Sequence, residues 1–336
     1  MTALERRYRR LLLAYPADYR RDRGDEIVGT YLDLADGGRR WPSPSDAADL
    51  VRGGLRQRLR SAGATDLIPG VRLAGLLALA TATFLAGFWM IVEQQSPPTE
   101  WGLRPSFGPF VSAGVVAWFG WLIAALLVAV TPGRPSRSAI ALAVLATAAV
   151  PVLSVIAGSL RPPLLVLVPQ VALGVLALAV ADHLPLPIRA LPITAAVAGG
   201  MVAWADENVA YWGADRGGVE QLLTAAGAVL LAVAVLLTVG LAIKRDGRGT
   251  WALAALLTPI GLLSVHILAG MVDGLGGAPR PTYPTLVTTA LVVAMLGPTV
   301  LPAAVALRRR VPTHSTDPHS TDPRPTRPCP TCGAHR

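Results

Sequence analysis

The sequence predicts an all-α integral membrane protein with about eight transmembrane helices, a small N-terminal cytoplasmic helical domain and a disordered C-terminal tail. Three observations predict it. Only 15% of the 336 residues are charged, where a soluble domain carries roughly 25%. Hydrophobic residues make up 52% of the chain and the mean hydropathy is +0.49. The apolar residues also fall into blocks of about the 20 residues that cross a hydrocarbon core.

The blocks lie at 71–92, 110–130, 139–158, 163–181, 188–205, 222–243, 251–271 and 286–307. The fourth and fifth are short and interrupted by Pro169 and Pro192, so a six-span reading with those two re-entrant stays open. Either count leaves both termini on one side. Residues 1–66 then form the cytoplasmic domain, 67–308 the membrane part and 309–336 the cytoplasmic tail.

Orientation follows from basic residues. With the N-terminus inside, only Arg104, Arg161, Arg216 and Arg280 fall outside, leaving 26 of the 30 Lys and Arg within. That is the positive-inside pattern of a cell (inner or plasma) membrane protein. Glu93, Glu100, Asp206, Glu207, Asp215, Glu220 and Asp273 all fall outside. Trp89, Trp101, Trp204, Trp212 and Tyr283 lie near the outer boundary, where aromatic belts form. Lys244 is the one lysine among the basic residues, a bias that points to a GC-rich bacterial genome rather than to nucleic acid, and no nucleic-acid partner is expected. Pro151, Pro169, Pro192, Pro259, Pro298 and Pro302 fall inside blocks, where proline is common in membrane helices and can also kink a span.

Residues 1–66 read as three short helices. Leu4, Tyr8, Leu11 and Leu12 share one face at helical spacing. Pro16 opens the second helix, with Ile27, Val28, Tyr31, Leu32 and Leu34 as its apolar content. Ser43 caps the third, with Pro44 in its first position, Asp46 in its first turn and Leu50, Val51, Leu55 and Leu59 as its apolar side. Arg52, Arg56, Arg58 and Arg60 make that helix basic just before the membrane.

The stretch YRRLLLAYPADYRRDRGDEIVGTYLD (8–33) carries a leucine pair Leu12-Leu13, then Tyr15-Pro16, Tyr19-Arg20 and Gly24-Asp25-Glu26. It resembles the small helical prefix domain that precedes the spans of many bacterial permease-like and signalling membrane proteins. The resemblance covers about a fifth of the chain. It implies a docking or regulatory module, sometimes paired with a transcription regulator, and implies no reaction. A helical hairpin that only orients the chain, with its arginines on anionic lipid, is the competing reading.

Candidate chemistry is sparse. His266 is the ionisable residue deep in a predicted span, a functional candidate with no acid in mid-span to partner it. A neutral imidazole bonded to a neighbouring helix is the simpler expectation. Asp206 and Glu207, with Asp215 and Glu220, form an outer loop that could hold a cation or an external ligand, or simply a solvated boundary. In the tail, Cys329-Pro-Thr-Cys332 followed by His335 resembles one knuckle of a zinc ribbon. Two more ligands than the thiols are needed, and unused thiols in a disordered tail are the alternative. No cofactor is otherwise expected. The chain has no phosphate-binding glycine loop, no HExxH and no GxSxG. The expectation is therefore a non-enzymatic signalling or regulatory protein that docks a cytoplasmic protein through residues 1–60. A transporter or permease subunit, or a membrane enzyme using the outer acidic loop, stands as an alternative. Gly199-Gly200 and Gly270 to Gly274 permit close helix contacts equally within one chain or between chains, so the oligomeric state is left open.

Overall fold

The computed structural model describes residues 2–35, 39–61, 64–94, 107, 110–181, 183–205, 216–276 and 281–310. The chain is almost entirely helical, with no strand among the described residues. The helices are α1 (Ala3–Leu11), α2 (Ala17–Asp33), α3 (Pro44–Ser61), α4 (Leu67–Gln94), α5 (Val115–Val130), α6 (Arg134–Ala157), α7 (Leu164–Ala177), α8 (Leu186–Ala205), α9 (Arg216–Ile243), α10 (Arg248–Leu263), α11 (Val265–Leu275) and α12 (Tyr283–Arg310). A single 3₁₀ turn, Leu12–Ala14, joins α1 to α2.

Local chemistry sets the first three helices. Thr2 Oγ1 accepts from the Glu5 N–H (3.1 Å) while Glu5 returns the bond to the Thr2 N–H, a reciprocal cap on α1. Ser43 and Asp46 do the same for α3, which begins at Pro44. Tyr8, 1% exposed, adds its hydroxyl to Asp46 Oδ2 at 3.1 Å and so ties α1 to α3. Hydrogen bonding from Ser43 holds the Asp46 carboxyl below its ordinary value, with Tyr8 and the Arg39 charge adding and burial opposing. Burial pushes the Tyr8 phenol up, and its bond to Asp46 adds. Leu4, Tyr8, Leu12, Val28 and Leu50 close a core that belongs to these helices alone. Only part of the expected apolar side of α3 faces that core: Leu50 is buried, whereas Val51 and Leu55 stay exposed. Leu34 is exposed as well.

The remaining helices make a bundle around α4. Of the most apolar stretch of α4, 78% is buried, against none of that of α12. α4 packs on α5, α7, α8 and α10. Its contact with α8 is a glycine seam. A methyl on Gly199 would fall 2.0 Å from the Phe84 carbonyl oxygen, and one on Gly87 2.0 Å from that of Ala196. The Gly199 pair thus serves contact within the chain, whereas Gly274 meets nothing within 4 Å. Buried polar side chains bridge the helices. Thr83 Oγ1 donates to the Pro192 carbonyl (2.9 Å), Gln170 Nε2 to that of Ala82 (2.9 Å) and Trp121 Nε1 to Thr147 Oγ1 (3.0 Å). α6 ends at Gly158, whose φ of 60° and ψ of 26° give the left-handed cap that favours glycine.

Apolar side chains also point outward along the bundle, among them Val155, Ile156, Leu236 and Ile243. Water would penalise so broad an apolar flank, whereas lipid would not. Five helices, α4, α6, α8, α9 and α12, are long and apolar enough to cross a membrane. α10 and α11 make a sixth if their pair, bent by 66°, is one span. This is a multi-pass membrane protein.

The helices fall at all eight predicted blocks, but not all reach spanning length. The fifth block, expected to be marginal, gives the 20-residue α8. The second block, 21 residues long on sequence, gives α5 with 16 residues, roughly 24 Å at 1.5 Å per residue. Residues 110–114 of that block are held in a turn, with the Val111 N–H on the Glu93 carbonyl and the Ser112 N–H on the Glu93 carboxylate. α7 has 14 residues. Both short helices bury large side chains, including Trp118, Trp121 and Leu173, inside the bundle.

Candidate functional site

The seventh block is where the helix breaks. α10 contains Pro259, which lacks an N–H, and runs one more turn to Leu263. Ser264, at φ −99° and ψ 10°, separates it from α11. The neighbour that receives the break is α9. Gly227 stands against it, since an added methyl would lie 3.0 Å from Ser264 Oγ and 3.1 Å from Leu263 Cβ. Two turns earlier on the same face of α9 is Glu220. Its Oε2 lies 3.0 Å from Nε2 of His266, which sits in the first turn of α11.

His266 thus bonds to a neighbouring helix, through an acid that the sequence places in the outer loop and that lies at the start of α9 rather than in mid-span. The physical reason is helix length. α9 starts at Arg216 rather than near residue 222, so Glu220 leaves the outer loop for a helix face that meets α11. The contact is a hydrogen bond to a neutral imidazole and an ion pair when the ring is protonated. Both side chains are about a quarter exposed, at 27% for His266 and 26% for Glu220. The carboxylate lies beside the first turn of α11, where the helix dipole favours negative charge. At the far end of α11, Asp273 accepts from the Thr282 N–H (2.6 Å) and from Thr285 Oγ1 (2.8 Å), which fastens α11 to the start of α12.

A second carboxylate was assigned to the outer loops and is in fact interior. Glu93, 6% exposed, ends α4. Its Oε2 accepts from the Ser112 N–H at 2.7 Å and its Oε1 from the Ser112 hydroxyl. The nearby Trp89 is buried and stacks on Trp118 with centroids 6.4 Å apart, so it is no part of an exposed aromatic belt. Trp204 and Tyr283, by contrast, are exposed. Sequence reading misses Glu93 because its partner comes from a turn 19 residues on. The only local signal is an acid inside the last turn of an apolar block.

Of the other expected site residues, Asp206, Glu207 and Asp215 lie outside the described residues, as do Cys329, Cys332 and His335. Among the described residues no group of three His, Cys, Asp or Glu could hold a metal ion. The N-terminal helices present a further feature. The Arg7 guanidinium lies over the ring of Trp41, 3.2 Å from its centroid, and donates to the Arg40 carbonyl. Trp41 itself is 68% exposed.

Taken together, the fold defines a multi-pass helical membrane protein with a separately cored N-terminal helical unit. No family model, curated protein or solved structure matches the chain.

Proposed function

We propose that the chain is a regulatory protein of the cell membrane, not an enzyme, whose N-terminal helices dock a cytoplasmic protein. In this reading all eight apolar blocks lie in the membrane, α5 and α7 as shorter buried elements, and both termini are cytoplasmic. The observation that carries it is the independent core of α1–α3, together with the exposed Trp41 braced by Arg7. A segment that merely oriented the chain would need neither a core of its own nor a large aromatic held in water. Trp and Arg are the residues that dominate protein–protein contacts when buried by a partner.

The test is co-purification from native membranes after brief crosslinking, with the full chain and with Trp41→Ala. A cytoplasmic protein recovered with the full chain and lost with Trp41→Ala supports docking. Identical recovery with both chains refutes it.

A transporter is the second reading, favoured by one observation. A broken span with an ionisable pair at the break is how many carriers build their sites. Substrate flux in proteoliposomes that falls on Glu220→Gln would support it.

A further inference from the structure

α3 carries a surface that the docking reading leaves unused. Leu50 and Gly54 turn into the core of the N-terminal unit, while Val51 (46% exposed) and Leu55 (55%) face away from it. Positions four apart stack on one helix face, so Leu59 continues the same line. Leu59 is half-buried, and with Leu67 and Val305 it borders a cluster centred on Ala64 and Trp251, where Trp251 belongs to the start of α10 and Val305 to the end of α12. The stripe Val51–Leu55–Leu59 therefore runs up to the end of the bundle where those helices emerge.

Charge follows the same line. The acids of α3, Asp46 and Asp49, lie in its first two turns. From residue 50 to 61 the helix holds Arg52, Arg56, Arg58 and Arg60 and no acid. Arg52 and Arg56 flank the stripe on one side and Arg58 on the other, all three exposed. Arg58 also donates to the Leu13 carbonyl, which brings a further exposed leucine to α3.

We infer that α3 is an interfacial helix, with Val51 and Leu55 set into the headgroup boundary of the bilayer and Arg52, Arg56 and Arg58 on anionic lipid headgroups. An apolar line edged by arginine is the composition such helices have. An acidic protein segment would match the charge equally. It would not account for the line ending on the bundle beside the spans, where the nearest apolar phase is lipid. The inference rests on the N-terminal unit lying at the membrane surface, and on neither a docking partner nor the sidedness of the membrane.

The test uses the full chain with Cys329→Ser and Cys332→Ser, spin-labelled at Leu55→Cys. It is placed in nanodiscs of neutral phosphatidylcholine and in discs enriched in phosphatidylglycerol. Accessibility to oxygen and to a water-soluble nickel chelate reads the depth of the label. In anionic discs the label gains oxygen and loses nickel access. Removing one arginine, as Arg52→Gln, Arg56→Gln or Arg58→Gln, lowers the docked-to-undocked ratio about fivefold. Equal nickel access in both discs overturns the inference and returns the stripe to an acidic protein partner. Hydrogen exchange of the α3 amides in the unlabelled chain gives a second readout, slower in anionic discs, and equal rates overturn the inference too. Both leaflets carry the same lipid and no partner is present, so failure here leaves the docking reading standing.

Discussion

Gly199→Ala should be among the most damaging single-methyl changes in the bundle. The added Cβ would lie 2.0 Å from the Phe84 carbonyl oxygen, whereas ordinary contact begins at 3.4 Å. Both atoms belong to helical backbone, so no side chain can swing aside, and α8 must retreat from α4 by about 1.4 Å at that point. Overpacking of this kind costs about 1–3 kcal/mol. The Thr83 bond to the Pro192 carbonyl crosses the same seam and is stretched with it, adding about 1 kcal/mol. The expected loss is about 2–4 kcal/mol. Gly240→Ala in α9 is the control, since nothing lies within 4 Å of its added methyl, and it should not destabilise but gain up to about 1 kcal/mol of helix propensity. Reversible unfolding in mixed detergent and SDS micelles, followed by circular dichroism, measures both. If Gly199→Ala unfolds where the parent does, α4 and α8 do not meet as described.

Other outcomes follow from the polar contacts. Glu93→Ala leaves the Ser112 N–H buried without its acceptor and should cost about 1–3 kcal/mol in the same unfolding assay, with Glu93→Gln restoring much of it. A double-mutant cycle on Glu220→Ala and His266→Ala should give a coupling of about 0.2–1 kcal/mol, because both side chains are partly exposed, and a coupling of zero would remove the pair. Tyr8→Phe should cost about 1.5 kcal/mol and speed hydrogen exchange in α1 and α3. The Asp46 carboxyl is depressed in the folded chain, so its stabilisation is present above its unfolded value of about 4 and is lost as pH falls through the lower folded value. Exchange in α3, corrected for intrinsic rates, should therefore rise below about pH 4 in the parent and change less in Asp46→Asn.

The N-terminal helices were legible because their signals are local. Ser43, Pro44 and Asp46 mark the start of α3 within four residues, and Leu4, Tyr8 and Leu12 repeat at helical spacing. The bundle was legible as apolar blocks, but lengths were misread where a distant contact trims or extends a helix. Glu93 reaches the turn before α5 and shortens that block, while α9 continues through Glu220 because its first turns pack toward α11. Neither event has a signature in hydropathy. The His266 partner was missed for the same reason. On sequence alone Glu220 sits in a loop, and only the spacing of Glu220 to Gly227 hints that both share one helix face. Val51 and Leu55 share the apolar side of α3 with Leu50, yet only Leu50 is buried, and helical spacing alone does not say which part of an apolar side meets a core.

Hydropathy cannot choose which helices pair, since in lipid an apolar side chain gains little by exchanging a lipid contact for a protein one. The choice has to come from close backbone approach and from polar groups that need a partner. Here those devices are specific to each pair. α4 meets α8 through Gly87 and Gly199 and through the Thr83 bond, and α7 through Gln170. α5 meets α6 through Trp121 and Thr147. α9 meets the α10–α11 break through Gly227 and Glu220. Each polar member looks like an interruption in an apolar block when read along the chain. Across the bundle the Gln170 amide and the Trp121 indole each find an acceptor on a neighbouring helix, whereas Thr83 and Thr147 also bond a carbonyl of their own helix. The residues that weaken the hydropathy signal are thus the ones that fix the arrangement, and His266 with Glu220 belongs to this set whether or not it also carries function.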